Sequence, residues 1–190
     1  MSGGIIAVIV VVAIILIVGL WWIATRNGII ASRNRVEESW SGIDVQLKRR
    51  HDLIPNLVST VKGYATHEQQ VFENVTKARA DAMATPTNDV NQTAAAEGTL
   101  NRAMADLRAV AENYPDLKAT ENFQQLSRNL SELEDEIQAS RRIYNSNVQS
   151  YNTKIQQFPT SVVANQGNFD DKEFFEITDA AERETPNVTF

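Results

Sequence analysis

The sequence contains no cysteine and only two histidines among its 190 residues. The absence of cysteine excludes disulfide bonds, thiolate metal sites and a cysteine nucleophile. His51 and His67 lie sixteen residues apart, so they cannot form the i, i+4 pair that holds a metal on one helical face. The sequence also lacks a glycine-rich phosphate loop, a nucleophile elbow and a zinc spacing. We therefore expect no catalytic residue, no metal and no cofactor.

Charged residues are absent from the first 25 positions, and the stretch from Gly3 to Ile23 is almost wholly Ile, Val, Ala, Leu and Trp. This matches the ~20 apolar residues that cross the ~30 Å hydrocarbon layer of a bilayer as a helix. Trp21, Trp22 and the following Arg26 have the order typical of a membrane interface. The sequence predicts a transmembrane anchor over residues 1–25.

A secretory signal peptide is the alternative interpretation of this apolar stretch. It fits less well, because signal peptides have a basic first region and an apolar core of about 7–15 residues. The positive-inside rule gives the orientation of an anchor, since no Lys or Arg precedes the stretch while Arg26, Arg33 and Arg35 follow it. We expect a single-pass protein with its N-terminus outside and its C-terminal part in the cytoplasm.

The part that follows the anchor is acidic, because it carries the whole formal net charge of −6. Its length of about 165 residues is that of one domain. Binding to nucleic acid phosphates requires a basic surface. The charge therefore excludes nucleic acid as an expected partner.

Apolar residues recur at alternating steps of four and three from Val36 to Ala82, which predicts helices packed in coiled-coil fashion. The positions are Val36, Trp40, Ile43, Leu47, Arg50, Ile54, Leu57, Val61, Tyr64, Glu68, Val71, Val75, Ala78 and Ala82. Pro55 lies inside this pattern, where a proline costs ~3 kcal/mol. We favour a kink, since the pattern keeps its phase across Pro55. The fold class is then all-α, an antiparallel bundle of three long helices, or four if Pro55 breaks the first.

Loops at 85–88 and 113–116 separate a second and a third long helix. The third has the clearest pattern: Phe123, Leu126, Leu130, Leu133, Ile137, Arg141, Tyr144, Val148, Tyr151, Ile155 and Phe158. Arg50, Glu68 and Arg141 are charged residues at core-facing positions of these patterns. We interpret them as buried, paired charges that fix helix register. A proton or ligand relay and side chains that reach out to solvent are the alternatives.

The helical pattern stops after Pro159, and the C-terminal tail is acidic. Between Asp170 and Glu184 the acids are Asp170, Asp171, Glu173, Glu176, Asp179, Glu182 and Glu184, interleaved with Phe169, Phe174, Phe175 and Ile177. This tail either folds back on the bundle or docks on a partner. We therefore divide the chain into an anchor over 1–25, a long-helix bundle over 26–158 and an acidic tail over 159–190.

Several short motifs together resemble the LemA family. They are Arg33-Asn34, Val36-Glu37, Trp40, the stretch from Gln46 to Val58, Tyr114 to Ala119, Glu121-Asn122-Phe123, Glu132-Leu133-Glu134, Ala139 to Arg142, Tyr144-Asn145 and Tyr151-Asn152. The resemblance covers almost the whole chain. It implies a bacterial membrane protein with an N-terminal anchor and closely packed antiparallel helices, no established catalytic activity and no known cofactor. It also implies location in the bacterial inner membrane and suggests a membrane protease as partner.

Helix lengths add one expectation about function. The second helix is near 39 Å at ~1.5 Å per residue, and the first could exceed twice that, so part of the first should lie uncovered. The uncovered residues would be Val36, Trp40, Ile43 and Leu47, and a second copy of the chain is the simplest partner for them. We expect a non-enzymatic, membrane-anchored scaffold that self-associates. The alternative is a sensor or adaptor that presents its bundle or acidic tail to a protease or signalling protein.

Overall fold

The computed structural model describes residues 3–176. In this range the protein has six helices and no strand: α1 Gly3–Lys62, α2 Gln69–Ala84, α3 Val90–Glu112, α4 Pro115–Lys118, α5 Glu121–Gln156 and α6 Thr160–Gln166. The prediction of an all-α fold with an apolar N-terminal helix is confirmed. Four residues of the predicted acidic tail lie outside the described residues: Ile177, Asp179, Glu182 and Glu184.

The described residues group into two compact units. The first, here called the anchor unit, contains residues 3–39 and 145–172, and the second, the bundle unit, contains residues 40–144 and 173–176. Helices α1 and α5 each contribute one part to each unit. The two units are described separately below.

Helix α1 continues through Pro55 without a break, so the preference for a continuous helix at this proline is confirmed. The helix does not continue to Ala82, however, because it ends at Lys62 and a turn over 63–68 leads into α2. Gly63 begins that turn, and its amide donates to the Ser59 carbonyl at 3.3 Å. Glycine is about 1 kcal/mol less favourable than alanine inside a helix and is common directly after a helix end. The bundle unit therefore has four long helical segments, with the break at Gly63 instead of Pro55.

The turns between the later helices contain residues suited to helix starts. Asp89 precedes α3 and accepts a hydrogen bond from the Gln92 amide at 2.8 Å, which satisfies one of the free amides of the first turn. Pro115 occupies the first turn of α4, where its missing amide hydrogen removes no helical bond. These starts fix where α3 and α5 enter the bundle.

The core of the bundle unit is a single apolar cluster contributed by α1, α2, α3, α4 and α5. Its buried members are Ile54, Leu57, Val61, Ala65, Phe72, Val75, Ala78, Ala82, Leu100, Ala103, Met104, Leu107, Val110, Ala111, Leu117, Leu126 and Leu130. Burial of this apolar surface is the main favourable contribution to folding. The predicted apolar patterns of the first and third helices supply eight of these seventeen residues, and α3 supplies six more.

In the anchor unit, the apolar stretch of α1 has no protein covering it, and residues 3–21 are all exposed. After this stretch, α1 packs against the C-terminal part of α5. The buried residues are Ile29, Val36, Val148, Tyr151, Ile155, Val163 and Ala164. Val163 and Ala164 belong to α6, so the prediction that helical structure stops after Pro159 is wrong. Residues 168–176 follow as an extended segment, called the C-terminal segment below.

Candidate functional site

The most unusual side chains of the bundle unit are three buried ionisable groups. Arg50 and His51 on α1 are 2% and 7% exposed, and Glu97 on α3 is 1% exposed. Burying a charge is costly unless it is paired and hydrogen-bonded. We call these three residues, together with Asn101 and Glu134, the polar cluster.

Arg50 is at the centre of the polar cluster. Its Nη1 lies 3.1 Å from Glu97 Oε2, and its Nη2 lies 2.8 Å from Glu134 Oε1 on α5. Nη2 also donates to Oδ1 of Asn101. One guanidinium group therefore ties α1 to both α3 and α5. The planar, multiply donating guanidinium suits this geometry better than a lysine ammonium would.

His51 is the second hydrogen-bond partner of the Glu97 carboxylate. Its Nε2 is 2.7 Å from Glu97 Oε1, and since a carboxylate oxygen only accepts, Nε2 carries the shared hydrogen. The main-chain carbonyl of His51 accepts from Nε of Arg79 on α2 at 2.6 Å. Contacts from all four long segments of the unit thus converge on two consecutive residues of α1. Both oxygens of Glu97 are occupied by protein donors.

A cavity of about 280 Å³ opens beside the polar cluster. His51 and Glu97 form part of its wall, along with Asp44, Lys48, Asp52 and residues of α2 and the following turn. Of the groups that face it, His51 and Glu97 are bonded to each other, and the Thr93 hydroxyl donates to the Asp89 carbonyl. Nε of Arg50, which does not line the cavity, is buried without a partner in the described structure. Among residues 3–176, no set of three His, Asp or Glu side chains is arranged to hold a metal ion. The geometry is that of a structural charge network.

Of the three charges predicted to be buried and paired, only Arg50 is. Glu68 is partly exposed and lies at the residue before α2, because the first helix ends before reaching it. Arg141 is also partly exposed. Glu68 and Arg141 are therefore not buried, which agrees with the alternative that long charged side chains reach out to solvent.

The sequence interpretation missed Glu97 and His51. Glu97 lies three residues before Leu100 on α3, and Leu100, Met104 and Leu107 continue the same spacing of four and three. Extending that pattern backwards would have placed Glu97 in the core, opposite the predicted Arg50. His51 has no comparable signal, because its neighbour Arg50 already occupies the expected position.

A second contact region of the bundle unit is an aromatic cluster of Trp40, Tyr144 and Phe175. The Trp40 ring lies 5.2 Å from the centroids of both other rings, and its indole nitrogen donates to the Thr87 carbonyl at 2.6 Å. Tyr144 donates to the Glu173 carbonyl at 2.9 Å. Burial raises the pKa of Tyr144 to about 12, and the negative charge of Glu173 acts in the same direction. Phe175 is fully buried, so residues 173–175 fold back on the protein's own helices.

The anchor unit holds its part of the C-terminal segment in a similar way. Tyr151 donates to the Asp170 carbonyl at 3.1 Å, and the Asn152 amide group bonds both the amide and the carbonyl of Lys172 at 2.9 Å. Burial raises the pKa of Tyr151, and although Arg33 opposes this, Asp170 acts in the same direction as burial. The Tyr-Asn repeat of α5 thus binds main-chain groups, as expected for tyrosines at a core edge.

These contacts change the self-association hypothesis. Val36, Ile43 and Leu47 are 1%, 0% and 4% exposed, and Trp40 packs in the aromatic cluster. The prediction that this side of α1 lies uncovered is therefore wrong, because α5 and the C-terminal segment were not counted as cover. Asp substitutions at Trp40 and Leu47 would damage the fold, so they cannot test assembly.

The predicted membrane-interface residues lie at the end of the exposed apolar stretch of α1. Trp21 and Trp22 make an edge-to-face contact with centroids 6.4 Å apart, and Arg26 is exposed one turn later. The apolar part of α1 is long enough to cross a membrane. This arrangement agrees with an interfacial aromatic belt.

Comparison with known proteins gives a consistent result. A family profile described as the LemA family matches residues 39–190. The chain is 30% identical over 155 residues to Protein LemA of Metamycoplasma hominis, covering 79% of this chain and 69% of that protein. It is 25% identical to Magnetosome protein MamQ 2 of Paramagnetospirillum magneticum, covering 78% and 63%. For Magnetosome protein MamQ of Magnetospirillum gryphiswaldense the identity is 21%, covering 86% and 68%. The chain thus spans about two thirds of the length of these relatives.

Proposed function

This chain belongs to the LemA family, and on that basis we propose that it is a non-enzymatic, membrane-anchored helical scaffold. The observation that carries the proposal is α1, which continues as one helix from an exposed apolar stretch into a packed bundle. Such a helix gives an anchored bundle a firm attachment, because no flexible linker separates the span from the packed residues. The polar cluster supports a structural function, since its groups are engaged with one another.

We place the protein in the bacterial inner membrane as a single-pass protein, with its N-terminus outside and its bundle in the cytoplasm. Support comes from the basic residues Arg26, Arg33 and Arg35 directly after the span and from their absence before it. The bilayer is the first partner in this proposal. Nucleic acid is not a partner, because the net charge of −6 disfavours phosphate binding.

Self-association is the second element of the proposal, although the side of α1 first considered for it is covered. Confinement to a membrane raises the effective concentration of neighbouring copies, so weak lateral contacts become populated. Exposed apolar side chains remain on the bundle unit at Val45, Met83 and Ile143, each about half exposed. These three side chains, with Tyr64, which is 47% exposed, are candidates for contact with another copy or with another membrane protein.

The test is the mass of the full-length protein in nanodiscs or detergent, measured by light scattering, after alkaline carbonate extraction of membranes. The scaffold proposal expects the protein to stay in the membrane pellet and to give a discrete assembly larger than one chain. A triple Asp variant at Val45, Met83 and Ile143 should reduce that mass. Arg102→Asp, an exposed change on α3, which carries none of these three residues, should not. A chain released by carbonate would contradict the anchor, and a monomer would contradict self-association.

An adaptor that presents its tail to a membrane protease or signalling protein is the second candidate. The observation in its favour is that Asp170, Asp171, Glu173 and Glu176 are all exposed while Phe175 is buried. These acids are thereby presented by a segment that packs on the protein's own helices. Reversing these four charges should abolish capture of a partner by an adaptor and should leave the mass of a scaffold unchanged.

A further inference from the structure

The end of α5 in the anchor unit exposes two apolar side chains, one of which, Phe158, the sequence pattern had placed in the core. Phe158 is 84% exposed, and Val162 at the start of α6 is 51% exposed. No other large apolar side chain of the described residues outside the span is as exposed as Phe158. We call residues 157–162 the α5–α6 corner. Exposed apolar surface of this kind is typical of a site that contacts another protein or a membrane.

Hydrogen bonds within the anchor unit show where this corner lies along α1. Lys154 Nζ donates to the Gly28 carbonyl at 2.6 Å, and Asn147 Nδ2 donates to the Arg35 carbonyl at 3.4 Å. The two donors are seven residues apart on α5, and their two acceptors are seven residues apart on α1 in the opposite direction. The two helices are antiparallel and in step through this stretch.

Continuing in that register places Phe158 opposite Ala24. The amide of Gln157 still donates to the Thr153 carbonyl at 3.0 Å, so the helical path extends nearly to Phe158. Ala24 is two residues from Trp22, about 3 Å along a helix axis. Phe158 thus lies at the depth of the aromatic residues that mark the end of the apolar stretch.

The charges around the corner suit a lipid surface. No Asp or Glu occurs in the first 36 residues or between Ile137 and Phe169, although the whole chain has 24 acidic residues. The charged residues nearest the corner in sequence and register are Arg26 and Lys154, both basic. Asp171 is the acid nearest in space, and its Oδ1 accepts a hydrogen bond from Gln156 at 3.0 Å. Basic residues beside a span are attracted to anionic headgroups, and aromatic rings are favoured at headgroup depth.

We propose that the α5–α6 corner inserts Phe158 and Val162 into the headgroup boundary of the bilayer that α1 crosses. This inference rests on the proposed function, since it requires α1 to span the membrane. The occupant of the exposed apolar surface is lipid, because the surface continues from the span at the same depth and residues 157–162 themselves contain no acid. The protein would then contact the membrane at two places, and α1 could not rotate freely about its own axis.

The absence of cysteine makes a direct test possible in the full-length chain, because any introduced thiol is unique. We would label Phe158→Cys with the fluorophore NBD, reconstitute the protein in nanodiscs containing some anionic phosphatidylglycerol, and add headgroup- or 5-doxyl-labelled lipid as quencher. Leu20→Cys in the span and Ile143→Cys on α5 are the reference positions, with 69% and 59% exposure in the protein. Neither Phe158 nor the references contribute to the core.

We expect quenching at Phe158 comparable to that at Leu20, and no quenching at Ile143. Quenching at Leu20 without quenching at Phe158 would overturn this inference and leave the anchor intact. Absence of quenching at Leu20 would overturn the anchor itself. A Val162→Cys label, read with and without Phe158→Asp, gives an independent measurement. Its quenching should fall when Asp is introduced, and an unchanged signal would show that Phe158 does not insert.

Discussion

In the bundle unit, three of the four buried polar side chains, Arg50, His51 and Glu97, are ionisable and bond to one another across helices. In the anchor unit, polar side chains such as Lys154 and Asn152 lie at the edge of an apolar core and bond to main-chain groups. The first arrangement depends on matched partners from three helices. The second depends on single side chains reaching free carbonyl and amide groups.

This difference indicates how much stability each unit loses when one of these polar side chains is replaced. Removing one partner of a buried ion pair leaves a charge without compensation and typically costs about 3–5 kcal/mol. Loss of one hydrogen bond between a side chain and the main chain typically costs about 0.5–1.5 kcal/mol. Substitutions in the two units should therefore differ in size, and the following variants are designed to separate them.

The largest effect is expected for Arg50→Met in the bundle unit. The change leaves Glu97 buried with only His51 and should lower the free energy of unfolding by about 3–5 kcal/mol. Arg49→Met is the matched control, because Arg49 is 64% exposed and 3.9 Å from Glu136; its effect should be about 0–1 kcal/mol. Denaturant unfolding followed by circular dichroism measures both. Equal effects would show that burial of Arg50 does not matter.

A second expectation concerns compensation within the polar cluster. Combining Arg50→Met with Glu97→Leu removes both buried charges, and an apolar replacement of a buried pair is often neutral or stabilising. The double variant should therefore be more stable than Arg50→Met alone in the same unfolding experiment. A further loss of stability would mean that the two residues contribute independently.

In the anchor unit, Asn152→Asp should have a smaller effect. The new carboxylate still accepts from the Lys172 amide but faces the Lys172 carbonyl without a donor, which costs about 1–3 kcal/mol. Hydrogen exchange of the amides over 168–176 should speed up. Gln149→Glu introduces the same charge on an exposed part of α5 and should leave this exchange unchanged. If the amides over 168–176 stay protected from exchange in Asn152→Asp, then Tyr151 and apolar contacts are sufficient to hold the C-terminal segment.

Gly167→Ala tests the packing at the start of the C-terminal segment. A Cβ atom at Gly167 would approach Cε2 of Phe169 to 2.5 Å, so the ring must move. The Phe169 ring lies 5.8 Å from the Arg33 guanidinium carbon and is partly exposed, so it can move at modest cost. We expect destabilisation of about 1 kcal/mol, at the low end for overpacking, in thermal unfolding.

The smallest effect is expected in the alkaline pH profile. Because the pKa of Tyr144 is raised to about 12 in the folded protein from its ordinary value near 10, the unfolded chain loses this proton first as pH rises. Stability should be highest below pH 10 and decline between pH 10 and 12. Tyr144→Phe removes this contribution, so its stability should decline less over the same range. Identical profiles would contradict the raised pKa.

The repeating apolar pattern was sufficient to predict the helical fold and most of the core, because spacing of three and four specifies one helical face. The end of α1 was not predictable from that pattern. Positions on either side of Gly63 kept the same spacing, and only the glycine indicated a turn. Phe158 also kept the spacing yet is exposed, since a pattern cannot show where the facing helix gives way to the apolar span.

The candidate site was predictable in part. An arginine at a core position, Arg50, indicated a buried partner, but identifying Glu97 required knowing which face of α3 packs against α1. The fold-back of Phe175 remained one of two possibilities, because a short aromatic segment fits its own bundle or a partner equally well. Tertiary packing, which the local sequence does not encode, decided both.

Asn152 has a consequence for the chain that it binds. The Asn152 side chain donates to the carbonyl of Lys172 and accepts from its amide. A residue of a neighbouring β-strand forms the same pair of hydrogen bonds with the main chain. An extended segment bonded in this way cannot slide along α5 in small steps, because a shift of one residue breaks both bonds together. The bond from Tyr151 to the Asp170 carbonyl depends on the same alignment, so the segment should detach and reattach as a whole.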